Sequence, residues 1–219
     1  GFLMPLGVTL PSVAGTITTV DFSSFDEEGN VSSSVSQADL FTDNSSDADP
    51  LANFLGVDAE DLEGDPQDDT ARRGSAIQRE FDANAGDTFR FDWTFETDDR
   101  ENFEGNTGNY AFFTEDNEAP FEEQIISISE GDFDDNNQVT GNFETTFNSN
   151  NPTANIGIVQ LGNTFNPDTI QESSLQVTNG EIESSEAVPF ETSSEVGALV
   201  LAGGIASIAW RRYRRRLKN

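Results

Sequence analysis

Phe89, Phe91, Trp93 and Phe95 alternate with Arg90, Asp92, Thr94 and Glu96. Successive side chains of a strand point to opposite faces, so this period of two gathers four aromatic rings on one face and charge or hydroxyl on the other. A helix would scatter the same rings around its axis. The pattern predicts a strand whose aromatic face lines a core. Gly86-Asp87 supplies a turn before it, and Ser75 to Phe81 is expected to be its hairpin partner across Asp82 to Asp87. Further strands are expected at Ile17 to Phe22, Asn109 to Thr114, Gln124 to Ser129, Gly141 to Phe147, Asn155 to Leu161 and Ser174 to Thr178, with Gly, Asn and Asp marking the intervals. Many short, turn-separated strands predict a mainly β fold, an antiparallel β-sandwich or jelly roll. Tyr110 and the Phe112-Phe113 pair cannot all face inward on one strand, so one of the phenylalanines is expected to be exposed or to sit at a bulge. One stretch breaks the pattern. Asp49-Pro50 before Leu51 to Gly56 offers an N-cap, a Pro at the first helical position and a Gly stop, and a second turn runs from Asp58 through Leu62. These predict a short helical insertion on the flank of the sandwich.

Two apolar runs show no alternation. Gly1 to Leu10 reads GFLMPLGVTL and leads into Ser12-Val13-Ala14, the small-x-small pattern read by signal peptidase. Residues 1–14 read as the remnant of a secretory signal whose Met and basic segment precede the sequence, with cleavage expected between Ala14 and Gly15. The second run, Val196 to Trp210, holds fifteen residues without a charge, short of the roughly 20 that cross a bilayer. It predicts an apolar helix over 196–210. Arg211, Arg212, Arg214, Arg215 and Arg216 follow at once, and the positive-inside rule keeps such a cluster cytoplasmic with the preceding chain outside. The chain thus divides into the signal remnant, a sandwich domain over 15–178, a polar linker over 179–187 and a sorting tail over 188–219.

Composition sharpens this division. The chain carries 41 acidic and 11 basic residues, a formal charge of −30, with no His and no Cys. Six of the basic residues lie in the last nine, and the body before Glu186 has five Arg and no Lys. An acidic body with a basic end points to two roles within one chain. Such a charge repels a phosphate backbone, so no nucleic-acid partner is expected. Without His or Cys there is no Ser-His-Asp triad, no thiol nucleophile, no disulfide and no ordinary zinc or haem site. A Lys-poor acidic surface suits a saline habitat, where salt screens self-repulsion, and equally an ordinary acidic secreted protein.

In order, the tail carries Pro189-Phe190-Glu191, the apolar run and the Arg cluster. This resembles the PEP-CTERM class of bacterial sorting signals, in a Pro-Phe-Glu form associated with cyanobacterial members. The resemblance implies an exosortase-type membrane protease as partner, with a cut close to Pro189-Phe190-Glu191. A plain membrane anchor with a stop-transfer cluster is the alternative, and both place the body outside the cytoplasm. The body in turn carries Leu51 to Leu55, Gly74-Ser75-Ala76-Ile77, Gly86-Asp87-Thr88-Phe89 through Asp92-Trp93-Thr94-Phe95, Tyr110-Ala111-Phe112 and Ile156-Gly157-Ile158-Val159. In this order the motifs resemble the "choice-of-anchor" domain of exported bacterial proteins, from about Leu51 to Val177. That resemblance implies a secreted β-sandwich and brings no catalytic residues. It departs where Val-Asp-Asn is expected and Val177-Thr178-Asn179 stands, which puts in doubt any metal or turn role of that Asp.

The acidic clusters raise calcium as a candidate cofactor, since calcium takes six to eight oxygen ligands. Asp132-Phe133-Asp134-Asp135-Asn136 opens like an EF-hand loop, but the sixth position is Asn137 rather than Gly and Glu144 falls one place late. A looser loop site could use Asp98, Asp99 and Glu101 after the aromatic strand, or Asp132, Asp134 and Asp135. The same runs also read as solvated acidic loops. Paired carboxylates could hydrolyse glycosides, yet in so acidic a chain some pair always seems available. Aromatic faces can bind sugars, but this ladder is assigned to the core. The sequence therefore predicts an exported, non-enzymatic cell-surface or matrix protein of structural or adhesive role, at least transiently membrane-anchored with its C-terminus cytoplasmic. A carbohydrate- or calcium-binding module, with extracellular polysaccharide as partner, is the alternative, and a glycoside hydrolase the third.

Overall fold

The computed structural model describes residues 15–63, 69–97, 109–120, 125, 134, 136–163 and 172–185. They belong to one unit, Ala14–Ser185. The signal remnant with Ala14, the motif Pro189-Phe190-Glu191, the helix expected over 196–210 and the Arg cluster lie outside the described residues. Among the described residues no helix is long and apolar enough to cross a membrane.

The fold is mainly β, and its strands pair antiparallel in two sheets. The first sheet takes the order β3 (Asn30–Ser33), β4 (Gln37–Phe41), β11 (Ser173–Ser184), β7 (Thr88–Thr97), β9 (Gln138–Thr146), with β1 (Thr16–Thr19) also on β11. β4 and β1 share one side of the long β11 end to end, opposite residues 174–178 and 181–184. The second sheet takes the order β2 (Asp26–Glu28), β6 (Asp69–Glu80), β10 (Thr153–Asn163), β8 (Tyr110–Glu115), with β5 (Ser46–Asp47) beside β6. One apolar core draws on both sheets: Phe89, Phe91, Phe95, Leu40, Leu175 and Val177 from the first, Ile77, Ala111, Phe113, Ile156 and Ile158 from the second. This is the arrangement of a β-sandwich. The aromatic ladder lies inside it as expected, with Trp93 only partly covered.

The expected hairpin between Ser75–Phe81 and the aromatic strand does not form. β6 pairs with β10 and β2, while β7 pairs with β11 and β9. The connection Asp82–Asp87 crosses from one sheet to the other, so that Phe81 and Phe89 meet across the core with ring centroids 5.5 Å apart. Its backbone is held by the β9–β10 turn: Phe81 N donates to Pro152 O at 2.9 Å and Asn151 N to Ala83 O at 2.8 Å. The buried Asp87 carboxylate accepts from Asn84 N and Ser185 N, both at 2.9 Å. A turn signal between two apolar-faced strands fits a hairpin and an inter-sheet crossing equally. Here, facing the two strands buries both apolar faces against each other.

The second sheet is apolar on both faces, and this corrects the expectation for Tyr110, Phe112 and Phe113. All three are buried. Phe113 and Ala111 face the sandwich core, whereas Tyr110 and Phe112 face a second cluster with Val159, Leu161, Ala71 and Ala76. That outer face is covered by α1 (Ala48–Leu55), through Leu51, Ala52 and Leu55, and by a 3-10 turn at Ala59–Leu62, through Leu62. No bulge is needed, because a strand covered on both sides carries a continuous apolar run. The helix starts at Asp47 as N-cap, two residues before the expected Asp49, and ends where Gly56 takes the left-handed conformation at φ 72°. Gly74 lets the helix approach, since a Cβ there would sit 2.7 Å from Leu51 Cδ2.

Tyr110 ties the 3-10 turn to the sheet, its hydroxyl donating to Leu62 O at 2.8 Å. Burial pushes its proton affinity well above that of a free phenol. A native state that retains this proton loses stability relative to the unfolded chain once pH rises past the ordinary phenol value of about 10. Tyr110→Phe is expected to cost about 1 kcal/mol at neutral pH and to flatten the alkaline fall in stability. Denaturation series at neutral and alkaline pH check both effects.

Other boundaries shift. The expected strand at Ile17 to Phe22 ends at Thr19, and Phe22 opens a 3-10 turn capped by the Asp21 side chain. β2, β3, β4 and β5 lie in a stretch where no strands were predicted. β11 continues to Ser184, so the polar linker predicted from Asn179 is in its first part sheet, and the domain ends later than residue 178. A bulge between Thr178 and Glu181 resets the face: Asn179 turns left-handed at φ 54°, and Ile182 returns to the core. Of the strand expected over Gln124 to Ser129, only Ile125 is described, its N–H donating to Ala111 O at 3.0 Å.

Candidate functional site

At one end of the sandwich the ends of β4, β7 and β11 surround an open pocket of about 310 Å³. Asn30, Phe41, Asp43, Glu96, Thr97, Glu172, Ser173 and Ser174 line it. Its floor is a polar knot. Ser173 N donates to Thr42 Oγ1 at 2.9 Å and Ser173 Oγ to Thr97 Oγ1 at 3.0 Å, while Asn109 Nδ2 donates to Ser173 Oγ. All four side chains are buried, and in a low-dielectric interior each needs such a partner. The knot ties both sheets together through β8's approach at Asn109 and the ends of β4, β7 and β11. Sequence reasoning missed it, because single Ser, Thr and Asn residues at strand ends look like ordinary boundary polarity.

Of the six acidic residues proposed for calcium, only Asp134 is described. β7 stops at Thr97, and Asp98, Asp99 and Glu101 lie outside the described residues, as do Asp132 and Asp135. Asp134 is described, and its carboxylate builds a turn: Oδ1 accepts from Asn136 N at 2.8 Å and Gln138 N at 3.0 Å, and Oδ2 from Asn136 Nδ2 at 3.3 Å. It thereby starts β9 in the manner of an Asx turn. Among the described residues no group of three or more acidic side chains is arranged to hold a metal ion.

A second depression, about 420 Å³, opens on the outer face of the first sheet. Arg90, Asp92, Asn142, Glu144, Asn179 and Glu181 contribute to its walls. Arg90 Nε pairs with Glu181 Oε2 at 3.1 Å and Arg90 Nη2 with Glu183 Oε2 at 2.7 Å. Partial desolvation lowers the proton affinity of Arg90, but the Glu183 and Glu181 carboxylates outweigh it and leave the guanidinium above its ordinary value. Asn179 Nδ2 donates to Asp92 Oδ2 at 2.8 Å, so the bulge at the departure from the expected Val-Asp-Asn feeds this face. The face is otherwise a hydrogen-bonded carpet: Asp39 accepts from both Gln37 and Gln176, and Glu96 from Gln138.

Chemically, both depressions offer carboxylates and amides, to which the first adds hydroxyls and the second the Arg90 guanidinium. Most of the described aromatics are buried, but Phe41 lines the first depression and Phe91 and Phe143 the second; the large apolar side chains most exposed among the described residues are Ile17 and Val35. Neither the family models nor the curated proteins compared with the chain give a match.

Proposed function

We propose that this chain is an exported cell-surface or matrix protein of structural or adhesive, non-enzymatic role, delivered and then anchored or released through its tail. The observation that carries this reading is the order within the tail. Pro189-Phe190-Glu191 precedes an uncharged run over 196–210, and Arg211, Arg212, Arg214, Arg215 and Arg216 follow it. An apolar segment stopped by a cationic cluster halts in a membrane with the cluster on the cytoplasmic side. The body agrees in character: its acidic, Lys-free composition keeps a surface hydrated, and most of its described aromatic residues serve the core.

The test is the intact mass of the protein recovered separately from membrane and external fractions of its own cells. A mass lacking the Arg cluster in the external fraction is the expected result, with the new terminus close to Pro189-Phe190-Glu191. An external protein that still carries Arg211 to Arg216 overturns sorting by cleavage. A protein found only in the cytoplasm overturns export altogether.

A further inference from the structure

Among the described residues β9 is a long sheet edge without the usual protection, and we infer that it pairs with β9 of a second copy of this chain. This goes beyond the sorting reading and does not depend on it. Alternate residues of β9 direct their backbone groups to opposite sides. Asn137 O accepts from Thr97 N at 3.3 Å, and Phe147 N donates to Asp87 O at 2.9 Å, both toward β7. The register between β7 and β9 runs without a shift from Thr88↔Thr146 to Glu96↔Gln138. Residues 139, 141, 143 and 145 therefore spend their N–H and C=O groups on β7. Those of Thr140, Asn142, Glu144 and Thr146 point away, and among the described residues nothing pairs with them. Their side chains are exposed.

Natural sheets guard such edges with short strands, charge, proline, bulges or a covering segment. The other edges of this fold do so. β3 has four residues, and β2 has three, Asp-Glu-Glu. β8 is buried along its length, and Ile125 N–H bonds its Ala111 carbonyl. β9 has nine residues, QVTGNFETT, with no proline or lysine and Glu144 as its one charge. One charge in nine residues is low for a chain of formal charge −30, so two copies meet along this long edge with little direct repulsion.

The sequence of β9 is also complementary to itself. Gln138 N and O are already bonded to Asp134 Oδ1 and N, so the pair runs over Thr140 to Glu144, and antiparallel pairing there has its two-fold axis at Asn142. Each Asn142 then faces its copy in a hydrogen-bonded pair, and each Glu144 faces Thr140, not another carboxylate. Closed two-fold pairing of this kind makes a dimer, not an open fibre.

The experiment uses the full chain in detergent micelles, at low and high salt. Sedimentation should show a dimer that strengthens as salt screens the net charge. Since the chain has no Cys, Asn142→Cys reports the axis cleanly: facing residues of a hydrogen-bonded pair lie about 5.5 Å apart at Cα, within disulfide reach. Mild oxidation should cross-link Asn142→Cys and leave Ser32→Cys, on the exposed face of β3, monomeric. Thr140→Glu places like charges opposite Glu144 twice and should weaken association about tenfold, whereas Thr140→Lys should tighten it. Both variants change an exposed side chain, and near-ultraviolet circular dichroism checks that they fold. A monomer at every salt concentration overturns the proposal. So does a dimer in which Asn142→Cys fails to cross-link, or in which the Glu and Lys variants act alike, since that dimer uses the tail or another face.

Discussion

Phe89→Ala should destabilise the sandwich by about 3–5 kcal/mol, the range for deleting a buried aromatic ring. Phe89 is fully buried, with ring centroids of Phe91, Phe81, Phe113 and Phe147 at 5.4, 5.5, 5.6 and 5.9 Å. It is the ring where the ladder, the inter-sheet crossing and the opposite sheet converge. Its removal opens a cavity that the rigid sheets on either side cannot close, and each neighbouring ring loses an edge or stacking contact. Phe143→Ala, on the edge strand and only partly covered, should cost clearly less. Chemical denaturation of both variants decides the matter. A loss below about 1 kcal/mol for Phe89→Ala, or a larger loss for Phe143→Ala, would mean that the core is centred elsewhere.

That centre was readable before any coordinates. A strict alternation over eight residues fixes both the strand and its face, because the side-chain period of a strand is two whatever the strand pairs with. The pairing itself was not readable. Asp82–Asp87 carries turn residues, and nothing local states whether the chain turns within a sheet or between sheets. The deciding contacts are long-range ones, from Phe81 to Pro152 and from Asp87 to Ser185. The second sheet was legible as strands but not as a doubly covered layer. Tyr110-Ala111-Phe112-Phe113 is apolar at every position, and the reason is helix α1, whose own signal sits some sixty residues earlier.

The strands between Asp26 and Asp47 escaped notice for a related cause. β2 and β3 are short and rich in Asp, Glu, Asn and Ser, residues depleted in strands, and they persist because β6 and β4 offer them ladder partners. The polar knot at the pocket floor had no sequence signal at all. Thr42, Thr97, Asn109 and Ser173 are joined only in space, and each looks like the polar end of a strand. For Asp134, residue type did identify an acidic loop, but not the Asx turn that its carboxylate builds at the start of β9.

The acidic composition hides the second large effect. Glu115→Ala should cost about 2–4 kcal/mol, because this carboxylate is a buried acceptor and not part of the solvated surface. Glu115 ends β8 and is buried. Its oxygens accept from Asn148 N and Asn148 Nδ2 at 2.9 Å, from Ser149 N at 2.8 Å and from Ser149 Oγ at 3.0 Å. These donors sit at the start of the turn between β9 and β10. Next to it, Asp116, left-handed at φ 59°, accepts from Thr153 N at 3.0 Å and donates its own N–H to Thr153 O at 2.7 Å. Two consecutive acids thus hold an Asn-Ser-Asn-Asn turn that has no apolar side chain to anchor it. Glu115→Ala strips the acceptor from two backbone N–H groups and two side chains. Glu115→Gln keeps the shape but turns an amide donor toward other donors, so it should recover only part of the loss. Asp116→Asn retains an acceptor for Thr153 N and should be milder than either. The order Ala, then Gln, then Asp116→Asn in decreasing cost is read from denaturation midpoints. Amide exchange should show Asn148 and Ser149 losing protection first in Glu115→Ala. If Glu115→Gln matches the wild type, the charge of the carboxylate contributes nothing and the turn is held by its backbone bonds alone.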